Sequence, residues 1–127
     1  MVKERNGGDA LSKETLAVAN LAARILTEKK AEDVAVLDLS ALTVIADYFV
    51  IASGGSDRQV QALYEELEEK MEKAGYAPLY KEGHRGSRWI VLDFNGVIVH
   101  LFYRETREFY SLERLWSDAE RIPVPAG

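Results

Sequence analysis

The chain has 127 residues, 47% of them hydrophobic, and a formal net charge of −5. That length fits one domain burying roughly two-thirds of its unfolded surface, without room for a second domain. The acid excess disfavours a protein that mainly grips naked nucleic acid and favours a basic protein partner. The absence of cysteine excludes disulfides, thiolate metal sites and cysteine nucleophiles, and two histidines do not make a multi-histidine metal centre.

Residues 1–10 read as a flexible leader, charged and glycine-containing. They lack the apolar stretch of a signal peptide and the arginine-rich amphipathic pattern of a transit peptide. No run reaches the length of a membrane span. A soluble, cytoplasmic protein is the expectation. Ser12 is a good helix N-cap, and Leu11 can staple to Leu16 across it. Leu16, Val18, Ala19, Leu21, Ala22, Ile25 and Leu26 then form a helical stripe to about Lys30.

Val34–Leu39 and Tyr48–Ala52 read as strands with both faces covered, because their apolar runs are nearly continuous. Ser53-Gly54-Gly55-Ser56 breaks the second strand. Ser56 caps a helix to about Ala74, with Gln59 completing a capping box and Gly75 stopping it. Its outer face holds Glu65, Glu66, Glu68, Glu69 and Glu72, a solvated face in the simplest reading. Ala77–Glu82 is a short edge strand with Pro78 near its start. The loop from Gly83 to Ser87 is glycine-rich and basic. Lys81, Arg85 and Arg88 there are either plainly exposed or phosphate contacts.

Residues 88–102, RWIVLDFNGVIVHLF, carry the clearest local signal. Asn95-Gly96 between two apolar runs favours a type I′ turn, in which both central residues need positive φ. That turn sets Phe94 opposite Val97, Leu92 opposite Val99 and Ile90 opposite Leu101. One face of the hairpin is then wholly apolar. The other carries Trp89, Val91, Asp93, Ile98, His100 and Phe102, either a site or a second packing face. After it, Arg104–Trp116 has helical spacing in Phe109, Leu112, Leu115 and Trp116, and a proline-containing tail follows. The expected class is α/β: one domain over residues 11–122, with a mixed sheet of about five strands flanked by helices, and a tail over 123–127.

Two constellations could carry chemistry. The Gly-Ser turn at 53–56 precedes a helix N-terminus, which can cradle phosphate. It is neither a Walker A nor a dinucleotide fingerprint, and no Asp-x-Asp follows to hold a catalytic metal. A nucleotide-binding or nucleotidyl-transfer enzyme using this turn is the alternative reading, with Asp57 and Asp47 as the acids nearest to it in sequence. Asp93 and His100 lie diagonally on one hairpin face, within reach for acid–base work or for structural or partner contact.

In order and spacing, the chain resembles the ribosomal silencing factor family, also called Iojap-like. The matching blocks are residues 33–39 (DVAVLDL), 46–54 (ADYFVIASG), 58–60 (RQV), 82–83 (EG), 89–93 (WIVLD), 99–102 (VHLF) and 107–116 (REFYSLERLW). In one departure, the family's usual Gly-Asp after the Asp-aromatic pair is replaced by Asn95-Gly96, which removes a turn carboxylate. The resemblance implies a domain similar to the nucleotidyltransferase fold without its catalytic acids, hence no catalysis and neither cofactor nor metal. It implies binding to the large ribosomal subunit through large-subunit protein fourteen, which blocks subunit joining and lowers translation when nutrients are scarce. It also implies a homodimer when free, with no membrane role and only incidental RNA contact. Trp89, Asp93, His100, Phe102 and Tyr110 are the expected partner-binding residues.

Overall fold

The computed structural model describes residues 8–83 and 86–124. In chain order its elements are α1 (Gly8–Glu28), β1 (Glu32–Asp38), β2 (Tyr48–Gly54), α2 (Asp57–Lys73), β3 (Tyr80–Glu82), β4 (Trp89–Asp93), β5 (Val97–Tyr103), α3 (Arg104–Tyr110), α4 (Leu112–Leu115) and β6 (Glu120–Ile122). The strands form one mixed sheet in the order β3-β4-β5-β2-β1-β6. Only β2 and β5 pair in parallel among the described strands; the other pairings are antiparallel.

The hairpin follows from its turn. Asn95 and Gly96 both have positive φ, at 64° and 94°, and the Phe94 N–H donates to the Val97 carbonyl at 2.8 Å. Trp89 pairs with Phe102, Ile90 with Leu101 and Leu92 with Val99. The right-handed twist of the strands accommodates a type I′ turn without splaying them, so two residues set the whole register.

Each face of the sheet has its own core. On one, α1 and α2 cover Ile90, Leu92, Val97, Val99, Leu101, Val50 and Val36, with Leu26, Leu63, Leu67 and Met71 packed down from the helices. Each such side chain taken fully out of water contributes about 1.5–3 kcal/mol. On the opposite face Leu37, Leu39, Phe49, Ile51 and Phe102 form a smaller core, closed by Leu112, Trp116 and Ala119 from the C-terminal segment. Strand β2 lies between the two cores and is buried along its whole length, which explains its uninterrupted apolar sequence.

Ser56 caps α2 by accepting from the Gln59 N–H at 3.1 Å. The Gln59 side chain reaches back one residue beyond the cap, to the Gly55 N–H at 2.7 Å. Gly75, at φ 96°, ends the helix.

Several expectations are corrected. The first helix begins at Gly8, so Ser12 lies inside it rather than at its cap. Of the leader expected over 1–10, residues 1–7 lie outside the described residues, as does the Leu11 side chain of the expected staple. A sixth strand, β6, pairs with Val36–Asp38 in a stretch just before the expected tail where no element is expected; three residues are too few to show an alternating pattern. Strand β3 is shorter than expected. The single helix expected over Arg104–Trp116 is two. Ser111 adopts a left-handed conformation at φ 50° between them, which resets the helical phase. Leu112 and Trp116 therefore pack inward, while Phe109 and Leu115 face solvent.

Candidate functional site

The second face of the hairpin is a packing face at its centre and a surface at one end. Trp89 opens β4 and stacks on Phe102 across the strand pair, ring centroids 4.8 Å apart. Tyr110, the last residue of α3, also lies against the indole, tilted, at 4.7 Å. Phe109 meets Tyr110 edge-on at 5.1 Å and is 80% exposed. Inward from Trp89, His100 contacts Phe49 at 4.5 Å, and Trp116 closes over Phe49 at 6.0 Å. The result is one aromatic row from the buried centre to the surface. Rigid rings with few rotamers, open at one end, suit a protein interface.

The His100 ring is 7% exposed. Its Nδ1 accepts the Trp89 indole N–H at 3.1 Å. Burial pushes its pKa down to about 4, so the ring is neutral near pH 7 and its one proton sits on Nε2.

Of the five residues expected to meet a partner, Trp89, His100, Phe102 and Tyr110 come together. Phe102 is fully buried and His100 nearly so. Direct contact through Phe102 therefore drops out, because it has no surface to offer; it backs Trp89 instead. Asp93 stands apart at the turn, about 13 Å along the strand from Trp89. Its carboxylate accepts the Asn95 N–H at 2.9 Å. The Asp93–His100 pair considered for acid–base work is not formed, since the two side chains bond to different partners.

Further apolar surface stands beside this face. Val44 and Ile45 are exposed in the loop between β1 and β2, whose ends Leu39 and Ala46 are buried in the second core. Sequence reading missed these residues and Phe109. A short apolar stretch reads equally well as a buried segment, and only the break at Ser111 turns Phe109 outward.

The Gly-Ser turn does not build a transferase site. Asp47 and Asp57 lie at opposite ends of β2, a strand about 20 Å long, and so do not converge. Among the described residues no group of three or more His, Cys, Asp or Glu side chains is placed to hold a metal. A cleft of about 440 Å³ beside Ser53 is lined by Arg104, Arg107 and Arg121, among others. Each of these is paired with a carboxylate: Arg104 with Glu32, Arg107 and Arg121 with Glu113. The glycines serve packing. A Cβ on Gly54 would meet the Val60 backbone nitrogen at 3.0 Å, and one on Gly55 the Arg104 guanidinium at 2.5 Å. In the basic loop, Lys81 pairs with Glu68 and Arg88 lies over the Tyr103 ring at 5.0 Å, while His84 and Arg85 lie outside the described residues. No helix among the described residues is long and apolar enough to cross a membrane.

Comparison with known proteins agrees with the likeness in the sequence blocks. Residues 12–126 match the model of a family described as ribosomal silencing factor during starvation. The chain is similar to ribosomal silencing factor RsfS of Bacillus subtilis, 38% identical over 110 residues, covering 87% of this chain and 93% of that one. A more distant relative, mitochondrial assembly of ribosomal large subunit protein 1 of Mus musculus, is 36% identical over 96 residues, 73% of this chain and 42% of its own length. In structure the chain is similar to a crystallised protein from Chromobacterium violaceum, with a TM-score of 0.77 and 31% identity, covering 88% of this chain and 92% of that one.

Proposed function

The chain belongs to the ribosomal silencing factor family, and from that premise we propose that it binds the large ribosomal subunit through large-subunit protein fourteen and sterically blocks subunit joining. The observation that carries the reading is the exposed end of the aromatic row, where Phe109 and Tyr110 at the end of α3 meet Trp89 of β4. The net charge of −5 suits a basic ribosomal protein as the counterpart. The mouse relative, by its name, acts in assembly of the large ribosomal subunit, which favours that subunit as the place of action. Bound there in the cytoplasm, the protein lowers translation under nutrient limitation without turning over a substrate. When free it pairs with a second copy. The test is a sucrose-gradient profile of purified subunits with added protein, with no nucleotide supplied for its action. Free subunits should accumulate as protein is added. Undiminished joined ribosomes at saturating protein would refute the proposal.

A further inference from the structure

The geometry points to His100 as a positioning residue: it acts on the ribosomal partner not by contact but by fixing the rotation of the Trp89 indole through the Nε1–H···Nδ1 hydrogen bond. The inference rests on the docking surface proposed above and deepens it. Stacking alone does not set this rotation. Phe102 at 30° and Tyr110 at 44° to the indole plane pack against the ring, but such contacts fix its plane and tolerate a half-turn about the Cβ–Cγ bond that exchanges the ring's edges. The bond to His100, at 3.1 Å, supplies the missing restraint. His100 is itself held from two sides. Phe49 meets it at an interplanar angle of 67°, and Phe102, two residues along the same strand face, lies at 13° to it.

The cost side of the site points the same way. With Nδ1 accepting, the proton is on Nε2, and this buried atom has no protein partner among the described residues. A buried polar group left without a partner opposes folding, and an aliphatic side chain would not carry that penalty. Stability alone therefore does not account for histidine at this position in an otherwise apolar core of Leu37, Phe49, Ile51 and Phe102. What histidine supplies, and leucine cannot, is an acceptor for the indole. Local choices that work against stability gather where a surface has a task.

The experiment compares full-length wild type with His100→Leu, His100→Asn and Trp89→Ala, using co-sedimentation with purified large ribosomal subunits, thermal melting and the indole N–H resonances. Asparagine places its amide oxygen near the position of Nδ1 and so keeps an acceptor. His100→Leu should melt no lower than wild type, move the Trp89 indole resonance upfield and bind roughly tenfold more weakly, equivalent to about 1.4 kcal/mol. His100→Asn should restore both the resonance and most of the affinity. If Trp89→Ala is weak but His100→Leu binds like wild type, the positioning role is overturned and the docking surface stands. If Trp89→Ala itself binds like wild type, the docking surface fails, and the positioning role with it. Should His100→Leu not fold, His100→Asn decides: resonance and affinity that move together support the role, and affinity that varies without the resonance overturns it.

Discussion

Arg107 and Glu113 face each other across the left-handed Ser111, the guanidinium donating from Nε at 3.2 Å and from Nη2 at 2.7 Å to the two carboxylate oxygens. The pair spans the joint between α3 and α4. Arg107 is 9% exposed and reaches further, its Nη1 donating to Ser53 Oγ at 2.8 Å. One side chain thus fastens the C-terminal segment to the end of β2. Arg107→Leu should leave Glu113 only its exposed bond from Arg121, deprive Ser53 Oγ of its donor and loosen α4 over the second core. Losing these hydrogen bonds to charged groups, with Glu113 partly in solvent and still paired with Arg121, should cost about 1–3 kcal/mol. Urea unfolding, read as a fall in midpoint, checks it.

Stability should fall with acid in two stages. The His100 pKa is about 4 in the fold and 6.5 when unfolded. Below pH 6.5 the unfolded chain binds the extra proton, so stability is full above 6.5 and drains as pH falls toward 4, by on the order of 3 kcal/mol. Glu113 is held below the usual carboxylate range mainly by its hydrogen bond from Arg107. Its contribution is present above about pH 4.5 and is lost as pH falls through the lowered value. Denaturation midpoints from pH 8 to 3 should show both stages. His100→Leu should remove the first and leave the second.

Phe109→Ser should separate binding from folding. The ring is mostly in solvent, so stability should stay within about 0.5 kcal/mol of wild type. Affinity for large subunits should drop at least tenfold if Phe109 is an anchor. Melting and co-sedimentation on one preparation decide it, and unchanged affinity would remove Phe109 from the surface.

Trp89→Ala should cost on both counts. The indole is half-buried and packs against Phe102 and Tyr110, so truncation should cost about 2 kcal/mol of stability, less than for a fully buried aromatic. Binding should weaken roughly 30-fold. A folded variant that binds like wild type would contradict this.

The paired glycines should respond unequally. Gly54→Ala drives a methyl against the Val60 backbone at 3.0 Å, which cannot move without shifting α2, and should cost about 1–3 kcal/mol. Gly55→Ala meets only the far ends of the Arg104 and Glu32 side chains. It should displace a solvent-exposed ion pair worth about 1 kcal/mol or less. Melting temperatures of the two variants give the comparison.

The legible parts of this fold are local in sequence. Asn95-Gly96 gives a register because the turn needs only its own two residues, and Ser56 with Gln59 gives a helix start for the same reason. Strand β2 is legible from its apolar run. What stays hidden depends on distant partners or on rare backbone states. The Arg107 contact with Ser53 joins residues far apart in the chain, and serine at Ser111 carries no sign of a left-handed turn. That turn decides which face of the last segment is buried, so Phe109 could not be recognised as surface. The aromatic face of the hairpin is legible as a choice between site and core. The structure makes it both, buried at Phe102 and partly open at Trp89.

The parallel seam between β2 and β5 has a kinetic consequence. The β1–β2 and β4–β5 pairs are antiparallel neighbours in sequence and close short loops. The seam that unites them matches Tyr48 with Val97 and Gly54 with Tyr103, and can form only after α2, β3 and a complete hairpin have been gathered. Closing so large a loop is entropically expensive before the contacts reward it, which slows folding. The two halves are therefore expected to form as separate ribbons before the seam locks, which the order of amide protection in pulsed hydrogen exchange would check. Until it does, the inner edges of β2 and β5 stay unpaired, and these are the stretches a chaperone would need to shield.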